Sequence, residues 1–371
     1  MDMRIEKVRN KTDIKRFINL SDRLYEGDEK YTPYMKGDLA KTLSRLILKE
    51  KSYSALIAYD TEGKASGRVL FTVDKNKQLD TEKCGFFSLY ECADDPDLAQ
   101  ALLTKMKEQL EEMGAEYISG TFSPFDPDNR RGIMVKGFDE APLIFTSYNH
   151  PYYSGQLEEF GMEKNVDTYQ YKVTFEDKVF DRLRRLSERT AERSGVRIDT
   201  VDFSNVERDI KDYCIVMKTA TTEINYQQAP SEEEITKIFK EWKSFLDPEL
   251  ILIARRKSDD APVGIAMALP DYFELFRRMK GRLDPRGIFV LLTGKKKIKS
   301  ARAMLQYVIP EYQNQGVIGM LAYDMFSSAR RRGFSHLEAG TILENNAASI
   351  STMNFLRAEL TRIYRIYSMK L

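Results

Sequence analysis

Apolar residues recur every three or four positions in three stretches of the chain, which predicts three amphipathic helices. The three sets are Leu98, Leu102, Met106, Leu110 and Met113; Ile235, Phe239, Trp242 and Leu246; and Ile318, Leu321, Ala322, Met325 and Ala329. Shorter apolar runs predict strands at 54–59, 67–73, 84–90, 115–121, 250–256, 262–269, 301–309 and 335–342. Helices and strands alternate with hairpins mixed in, so we expect an α/β protein with a mixed sheet.

Two parts of this pattern repeat along the chain. A Leu-Ile-Ala run followed by Gly67 returns as a Leu-Ile-Ala run followed by Gly264, at an offset of 197 residues between the glycines. A helix, a glycine and a strand repeat around Gly114 and Gly333, at an offset of 219. The chain is therefore predicted to contain two copies of one unit. The larger second offset indicates an insertion at about 273–300 in the second copy.

The composition narrows the classes of protein that fit this pattern. The 371 residues are 42% hydrophobic and 31% charged with a net charge of +1, which is typical of globular domains and argues against nucleic-acid binding. Three cysteines and two histidines are too few for a disulfide framework or a histidine-rich metal site. The N-terminus lacks an apolar signal core, and no apolar run approaches the roughly 18–20 residues of a membrane span. We therefore expect a cytoplasmic protein with no metal, no nucleic-acid partner and no integral membrane association.

The stretch Val308–Gly319 is the most informative one for chemistry. An apolar strand ends at Pro310, a polar turn containing Gly316 follows, and an amphipathic helix then begins. Successive backbone N–H groups at such a helix start can hold a pyrophosphate, and the helix dipole favours its negative charge. Gly316 would let a phosphate approach the backbone because it has no side chain. A strand–turn–helix junction without a ligand is the alternative interpretation.

This stretch resembles the signature of the GNAT acyltransferase superfamily, which is Gln/Arg-x-x-Gly-x-Gly/Ala after a strand. The run Gln313–Gly316 fits, whereas the sixth position is Ile318 and a glycine follows it. Further segments resemble a bacterial group of tandem GNAT-like proteins, namely 149–153, 281–283, 295–298 and 364–367. The resemblance implies two tandem acyl-CoA N-acyltransferase (GNAT-like) domains of α/β type with a mixed sheet. We place them at 1–168 and at 169–371, the second one carrying the basic insertion.

The resemblance also implies a reaction and a cofactor site. We expect an N-acyltransferase, with acetyl-CoA or another acyl-CoA as co-substrate and a small-molecule amine as acceptor. The implied cofactor-binding residues are Val308, Ile309, Gln313, Asn314, Gln315, Gly316, Val317, Gly319 and Asn346. The corresponding loop of the first copy, 93–97, has three carboxylates and a proline. Because these would repel a pyrophosphate and remove an N–H donor, we expect the first copy to be a degenerate domain.

Acyl transfer to an amine needs a base, because an ammonium ion is not a nucleophile. The resemblance implies a carboxylate base and a tyrosine acid. We assign these catalytic roles to Glu344 and Tyr307, with Glu338 and Tyr364 as alternatives. The helix after Asn346 lacks the tyrosine expected from the family. A catalytically inactive protein that binds a small ligand or a lipid is therefore the alternative function.

The segment from Phe273 to Arg302 is strongly basic, with ten Lys or Arg residues against two acids. Its charges flank the apolar run 288–292. Basic residues that bracket an apolar run are attracted to an anionic interface. Three functions stay open for this segment: a lid over an acyl chain, a clamp on coenzyme A phosphates, and weak contact with anionic lipid. The alternative is a solvated excursion whose apolar residues pack on the domain.

Overall fold

A computed structural model of the chain describes residues 3–73, 83–126, 129–221 and 230–371. The first part contains β1 (Arg4–Lys7), α1 (Lys11–Leu24), α2 (Lys36–Leu43), a π-helical segment (Ser44–Lys49), β2 (Ser54–Tyr59), β3 (Ala65–Val73), β4 (Cys84–Cys92), α3 (Pro96–Glu112), β5 (Tyr117–Gly120), β6 (Ile133–Lys136), α4 (Tyr153–Glu159) and β7 (Glu163–Thr174). The remainder contains α5 (Asp177–Arg193), β8 (Val196–Thr200), α6 (Val206–Ala220), α7 (Glu232–Trp242), β9 (Ile251–Arg256), β10 (Pro262–Pro270), α8 (Phe273–Arg278), α9 (Pro285–Gly294), β11 (Ser300–Val308), α10 (Val317–Arg331), β12 (His336–Leu343), α11 (Ala347–Phe355) and β13 (Glu359–Lys370). Short 3-10 turns lie at Pro248–Leu250, Lys295–Lys297 and Pro310–Tyr312.

The predicted helices and strands are confirmed, each within a few residues of its expected bounds. Local chemistry explains where they begin. Helix α3 begins where the Asp95 side chain accepts a hydrogen bond from the Leu98 N–H at 3.1 Å, with Pro96 in the first turn. Helix α7 begins with a capping box in which Ser231 and Glu234 satisfy each other's backbone N–H groups.

The chain divides into two compact units. The first unit consists of Met1–Thr168, Tyr272–Lys296 and Arg362–Leu371. The second unit consists of Tyr169–Asp271 and Lys297–Thr361. The first unit is therefore built from three separate stretches of sequence.

The sheet of the first unit has the strand order β1-β2-β3-β4-β5, followed by the end of β13, which also pairs with β6. Strands β4 and β5 run parallel from Cys84 opposite Tyr117 to Phe87 opposite Gly120. Alternate residues of β2 face opposite sides, as the pleat of a strand requires. Leu56 belongs to the core formed with α3, whereas its neighbours in β2 belong to the core formed with α1 and α2.

The sheet of the second unit has the strand order β7-β12-β11-β10-β9-β8. Its β11 and β12 are parallel, whereas β10 pairs antiparallel with both β9 and β11. One face packs against α5 and α10, with Leu183, Val317 and Leu321 in that core. The other face packs against α6 through Val216 and Met217. Each unit thus has a mixed sheet between helices, which confirms the predicted fold class.

The strand registers confirm the internal repeat. In the first unit, Gly67 lies opposite Ala58 on one side and Cys92 on the other. In the second unit, Gly264 lies opposite Ala254 on one side and Val308 on the other. Both glycines sit where a Cβ would come within about 3 Å of neighbouring atoms. The repeated glycine therefore marks the same close packing position in each sheet.

The basic segment packs with the first unit, although its sequence position suggests the second domain. Between Tyr272 and Lys296 it forms a hairpin of α8 and α9, which we call the α8–α9 hairpin. The Phe273 ring meets the Phe145 ring edge to face at 6.5 Å between centroids. The Arg130 guanidinium carbon lies 5.1 Å from the centre of the Phe273 ring. These aromatic and cation–π contacts join segments far apart in sequence, so periodicity alone does not reveal them.

Candidate active site

Strands β11 and β12 of the second unit separate part of the way along their length. They pair from Ser300 opposite His336 to Ala303 opposite Ala339, and each strand then continues without pairing to the other. The buried Arg302 guanidinium donates to the Gly340 carbonyl oxygen from Nε at 3.2 Å and from Nη2 at 3.1 Å. The neighbouring β10–β11 pair has a bulge between Met267 and Ala268. Strands β11 and β12 therefore diverge beyond Ala303 and Ala339, which leaves a gap between them in the sheet.

A small apolar slot of about 40 Å³ lies in this gap. Its lining includes the small residues Ala266, Ala303, Ala322 and Ala339 together with larger ones from α10 and α11. Gln306 is its polar lining side chain, and its Nε2 donates to the Ile318 carbonyl oxygen at 3.1 Å. The slot therefore suits a flexible apolar group rather than a charged one.

In the first unit, larger side chains occupy three positions that correspond to the slot lining. The offsets of the repeat place Val69 and Leu103 where the second unit has Ala266 and Ala322. Strand register places Phe87 where the second unit has Ala303, because Phe87 lies opposite Phe71, Ala303 lies opposite Ala268, and these two partners are 197 residues apart. All three larger side chains are completely buried. The Phe87 ring also lies so close to Gly120 that a Cβ there would be 2.4 Å from it. The space that is open in the second unit is therefore occupied by side chains in the first.

The polar turn after β11 presents a row of backbone donors. Positive φ angles of 59° at Asn314 and 89° at Gly316 turn the chain into α10. Gln313 Nε2 donates to the Val308 carbonyl at 3.1 Å, and Gln315 Nε2 donates to the Glu311 carbonyl at 2.6 Å, so both side chains brace the turn itself. Within the described parts of the chain, the backbone N–H groups of residues 314–318 have no acceptor. Such donors at a helix N-terminus form a site for an anion.

Helix α5 runs antiparallel to α10 and packs on the same turn. Thr190 and Leu186 lie against Gly316 and Gly319, where an added Cβ would be 2.5 Å from a side-chain atom in both cases. At the other end, the Phe180 and Tyr323 rings are 5.2 Å apart. The two glycines therefore allow α5 and α10 to approach closely. The side of Gly316 expected to face a phosphate instead makes room for Thr190.

Helix α5 also brings positive charge to this end of the second unit. Arg189 and Arg193 lie one residue before and three residues after Thr190, and both are exposed. Neither has an ion-pair partner among the residues that the structure describes. In contrast, Arg184 on the same helix pairs with Glu188 at 3.3 Å and lies 3.8 Å from Asp181. The unpaired guanidinium groups add to the positive end of the α10 dipole.

Asn346 and Glu344 lie just after β12. The Asn346 Oδ1 accepts a hydrogen bond from the Ser349 N–H at 3.0 Å and caps α11. Glu344 is partly buried in the turn between β12 and that cap. The asparagine expected to border the cofactor thus has a structural role that occupies its oxygen.

The other titratable candidates lie apart from one another. Tyr307 packs on the α6 side of the sheet, whereas Tyr364 is completely buried in the first unit. Glu338 is buried, with an oxygen 3.7 Å from His336 Nε2. Burial raises the pKa of Asp324 on α10, although Arg331 opposes this shift.

The predicted site residues lie outside the lining of the slot. The lining includes neither catalytic candidate, Glu344 or Tyr307, and none of the nine cofactor candidates. The alanines that line the slot were missed because a small apolar residue carries no chemical signal of its own. Comparing the two copies would have pointed to three of the four alanines, since Ala266, Ala303 and Ala322 correspond to larger residues in the first copy. Among the described residues, no group of three His, Cys, Asp or Glu side chains is arranged to hold a metal ion.

Comparison with known proteins shows which family and which proteins this chain is similar to. The acetyltransferase (GNAT) family matches residues 216–354, which include the turn and most of the slot lining. The chain is 26% identical over 380 residues to the bacterial ceramide synthase of Caulobacter vibrioides, covering 99% of this chain and 97% of that protein. It is 25% identical over 375 residues to protein YghO of Escherichia coli, covering 96% of this chain and 93% of that one.

A solved structure extends the likeness to the whole chain. The tandem GNAT protein from the clavulanic acid biosynthesis pathway superposes with a TM-score of 0.56 at 10% identity, covering 100% of this chain and 98% of that one. At this identity the likeness concerns the fold alone. The chain is therefore similar to the acetyltransferase (GNAT) family over residues 216–354, and its fold is that of a tandem GNAT protein.

Proposed function

We propose that this protein is an N-acyltransferase that moves an acyl group from acyl-CoA to an amine. The observation that carries the proposal is the apolar slot between β11 and β12, together with the N–H groups of residues 314–318 that have no acceptor. The two features are linked by Gln306, which lines the slot and donates to the Ile318 carbonyl oxygen. An acyl-CoA would match both features, because its anionic diphosphate suits the N–H groups and its apolar acyl chain suits the slot. The family match over residues 216–354 supports the same reaction.

In this proposal the diphosphate lies at the start of α10. The free N–H groups of residues 314–318 donate to its oxygens, and Arg189 and Arg193 add charge from α5. The acyl chain enters the slot past Ala303 and Ala339. The small apolar slot would bury the first methylene groups of a longer acyl chain, which an acetyl group lacks, and each buried CH₂ contributes about 0.8 kcal/mol.

The reaction needs three proton transfers, which we assign to Glu344 and Tyr307. Glu344 takes a proton from the ammonium group, and the neutral nitrogen attacks the thioester carbonyl carbon. A C–N bond forms while the C–S bond breaks, and the coenzyme A thiolate takes the proton of the Tyr307 hydroxyl. The second nitrogen proton returns to Tyr307, so one proton remains on Glu344.

The acceptor class follows from the relative named as a bacterial ceramide synthase. A ceramide is the amide of a fatty acid and a long-chain amino alcohol. We therefore propose a long-chain amino alcohol as the first acceptor to test, with short amines as the comparison.

Calorimetric titration with coenzyme A, acetyl-CoA and palmitoyl-CoA tests the donor site. We expect palmitoyl-CoA to bind more tightly than coenzyme A. Release of free thiol after addition of each amine then tests turnover. Absence of binding by all three compounds in a folded sample would contradict the proposal.

A binding protein without turnover is the second candidate function. It is favoured by one observation, since the polar side chain that lines the slot, Gln306, is engaged by the Ile318 carbonyl. Binding of palmitoyl-CoA without thiol release for any amine would support this candidate over the enzyme.

A further inference from the structure

The α8–α9 hairpin is anchored to the first unit through one of its faces. The Lys36 N–H donates to the Gly281 carbonyl oxygen at 2.9 Å, and Arg277 Nε donates to Thr32 Oγ1 at 3.1 Å. A Cβ on Gly281 would be 2.2 Å from the Tyr34 carbonyl oxygen, so the two backbones touch. The hairpin is therefore a fixed part of the first unit.

Helix α9 buries one side and exposes apolar side chains on the other. Gly287, Val290 and Gly294 are buried. Ile288 is 44% exposed, Phe289 66% and Leu292 71%, and Leu283 just before the helix is 62% exposed. Half of the large hydrophobic side chains that are exposed in the described residues lie on this hairpin. Exposed apolar side chains grouped in this way mark a surface that contacts another apolar phase.

Cations surround this apolar face. The exposed ones on the hairpin are Arg278, Lys280, Arg282, Arg286 and Lys296, and none has an ion-pair partner in the described ranges. The hairpin has two acids, Glu274 and Asp284. Asp284 is already engaged, because its Oδ1 accepts the Gly287 N–H at 2.8 Å and caps α9. The face therefore carries a strong excess of positive charge.

We propose that this face, defined by Leu283, Ile288, Phe289 and Leu292 with its surrounding cations, docks on the surface of an anionic lipid bilayer. Apolar side chains that protrude from a fixed helix enter the headgroup region, while lysine and arginine pair with lipid phosphates. The charge argues for a bilayer rather than a protein partner, because free cations of one sign match a uniformly anionic surface. This docking is independent of acyl transfer.

The length of α9 determines how it can contact a bilayer. Helix α9 has ten residues and is about 15 Å long, about half of what a bilayer core requires. No helix in the described ranges is long and apolar enough to cross a membrane. The helix therefore lies along the surface, with Phe289 and Leu292 pointing into the lipid.

Vesicle flotation of the whole protein tests the proposal without any acyl-CoA. The vesicles are phosphatidylcholine alone or an equal mixture of phosphatidylcholine and phosphatidylglycerol. We expect recovery with the mixed vesicles, little with the neutral ones, and a loss of binding at high salt. Phe289→Ser with Leu292→Ser should lower the partition coefficient by about tenfold or more, since both side chains lose their burial in lipid. Arg282→Glu with Arg286→Glu should lower it by a similar factor.

Matched variants separate docking from loss of structure. Ile238→Ser removes a side chain of α7 that is 49% exposed, and Lys105→Glu with Lys107→Glu reverses two exposed charges of α3. Both controls should bind vesicles as the unaltered protein does, and circular dichroism should be the same for all variants. Equal recovery with neutral and anionic vesicles would overturn the proposal. Wild-type binding by the Phe289 and Leu292 variant would also overturn it. If sedimentation velocity showed a dimer for the unaltered protein and a monomer for this variant, with flotation unchanged, the face would be a dimer interface instead.

Discussion

Gly316 and Thr190 are in such close contact that a Cβ on the glycine would lie 2.5 Å from the threonine Oγ1. The φ angle of Gly316 is +89°, a conformation that side chains rarely adopt. Gly316→Ala should therefore destabilise the protein by about 1–3 kcal/mol through overpacking and strain, measured by urea denaturation.

The double variant Gly316→Ala with Thr190→Ala separates the effect of overpacking from the effect of the φ angle. Removing the Oγ1 should recover part of the Gly316→Ala loss, leaving the share that is due to the φ angle. Strict additivity of the two substitutions would show that the side-chain contact contributes nothing.

The arginines of α5 give a prediction about affinity. Arg189→Glu with Arg193→Glu should weaken binding of acyl-CoA by about tenfold, which is about 1.4 kcal/mol, because both side chains are exposed at the end of α5 whose Thr190 packs on Gly316. The effect should shrink at high salt. Arg184→Glu is the matched control, since Arg184 already pairs with Glu188 on the same helix. Equal weakening by the control would mean that only net charge matters.

The slot predicts a dependence on chain length. Ala303→Phe introduces the residue that the first unit has at the corresponding position, Phe87, and should fill the slot. Palmitoyl-CoA should then bind at least about tenfold more weakly, whereas coenzyme A itself should bind as before. Calorimetry with both compounds on one variant provides its own control. A similar loss for both compounds would place the acyl chain elsewhere.

The reverse change in the first unit should act on stability instead. Phe87→Ala removes a completely buried ring and should destabilise the protein by about 3–5 kcal/mol, with no gain in acyl-CoA binding. A shift of the urea midpoint measures the loss. New affinity for palmitoyl-CoA would show that the first unit retains a site once it is emptied.

Asp167 gives a prediction about pH. Burial tends to raise the pKa of its carboxyl, but the hydrogen bond from Arg365 Nε at 2.8 Å and the charges of Arg365 and Lys164 outweigh burial and hold that pKa below its usual range. The pair therefore contributes stability above the unfolded pKa of about 3.9, and this contribution disappears as pH falls through the lower folded value. Asp167→Asn should cost about 2 kcal/mol near neutral pH and progressively less below about pH 4. A cost that does not change with pH would point to packing alone.

Short-range patterns were sufficient to predict the elements and their repeat. The spacing of Leu98, Leu102 and Met106 reports one helix face directly, and the structure places all three in one core. The Gln313–Gly316 turn is equally local, because its polar residues and its glycine interrupt an apolar strand and an apolar helix. These features depend on residues within a few positions of one another.

The slot and the packing of the α8–α9 hairpin depend on distant residues. Ala266 and Ala303 form a space only because β11 and β12 separate, which no local spacing reveals. The hairpin packs with the first unit because the Phe273 ring contacts the Phe145 ring, more than a hundred positions earlier in the sequence. Sequence reasoning therefore predicted the turn that has free N–H donors, but not the apolar slot.

The last strand of the chain has a consequence for biosynthesis. Residues Tyr367–Lys370 of β13 pair with β5, and the Leu371 N–H donates to the Glu116 carbonyl at 3.0 Å. On the ribosome, β5 emerges long before its partner, so the nascent first unit has an open strand edge while the second unit is being translated. The first unit therefore stays incomplete until Arg362–Leu371, which follow the second unit, have been synthesised.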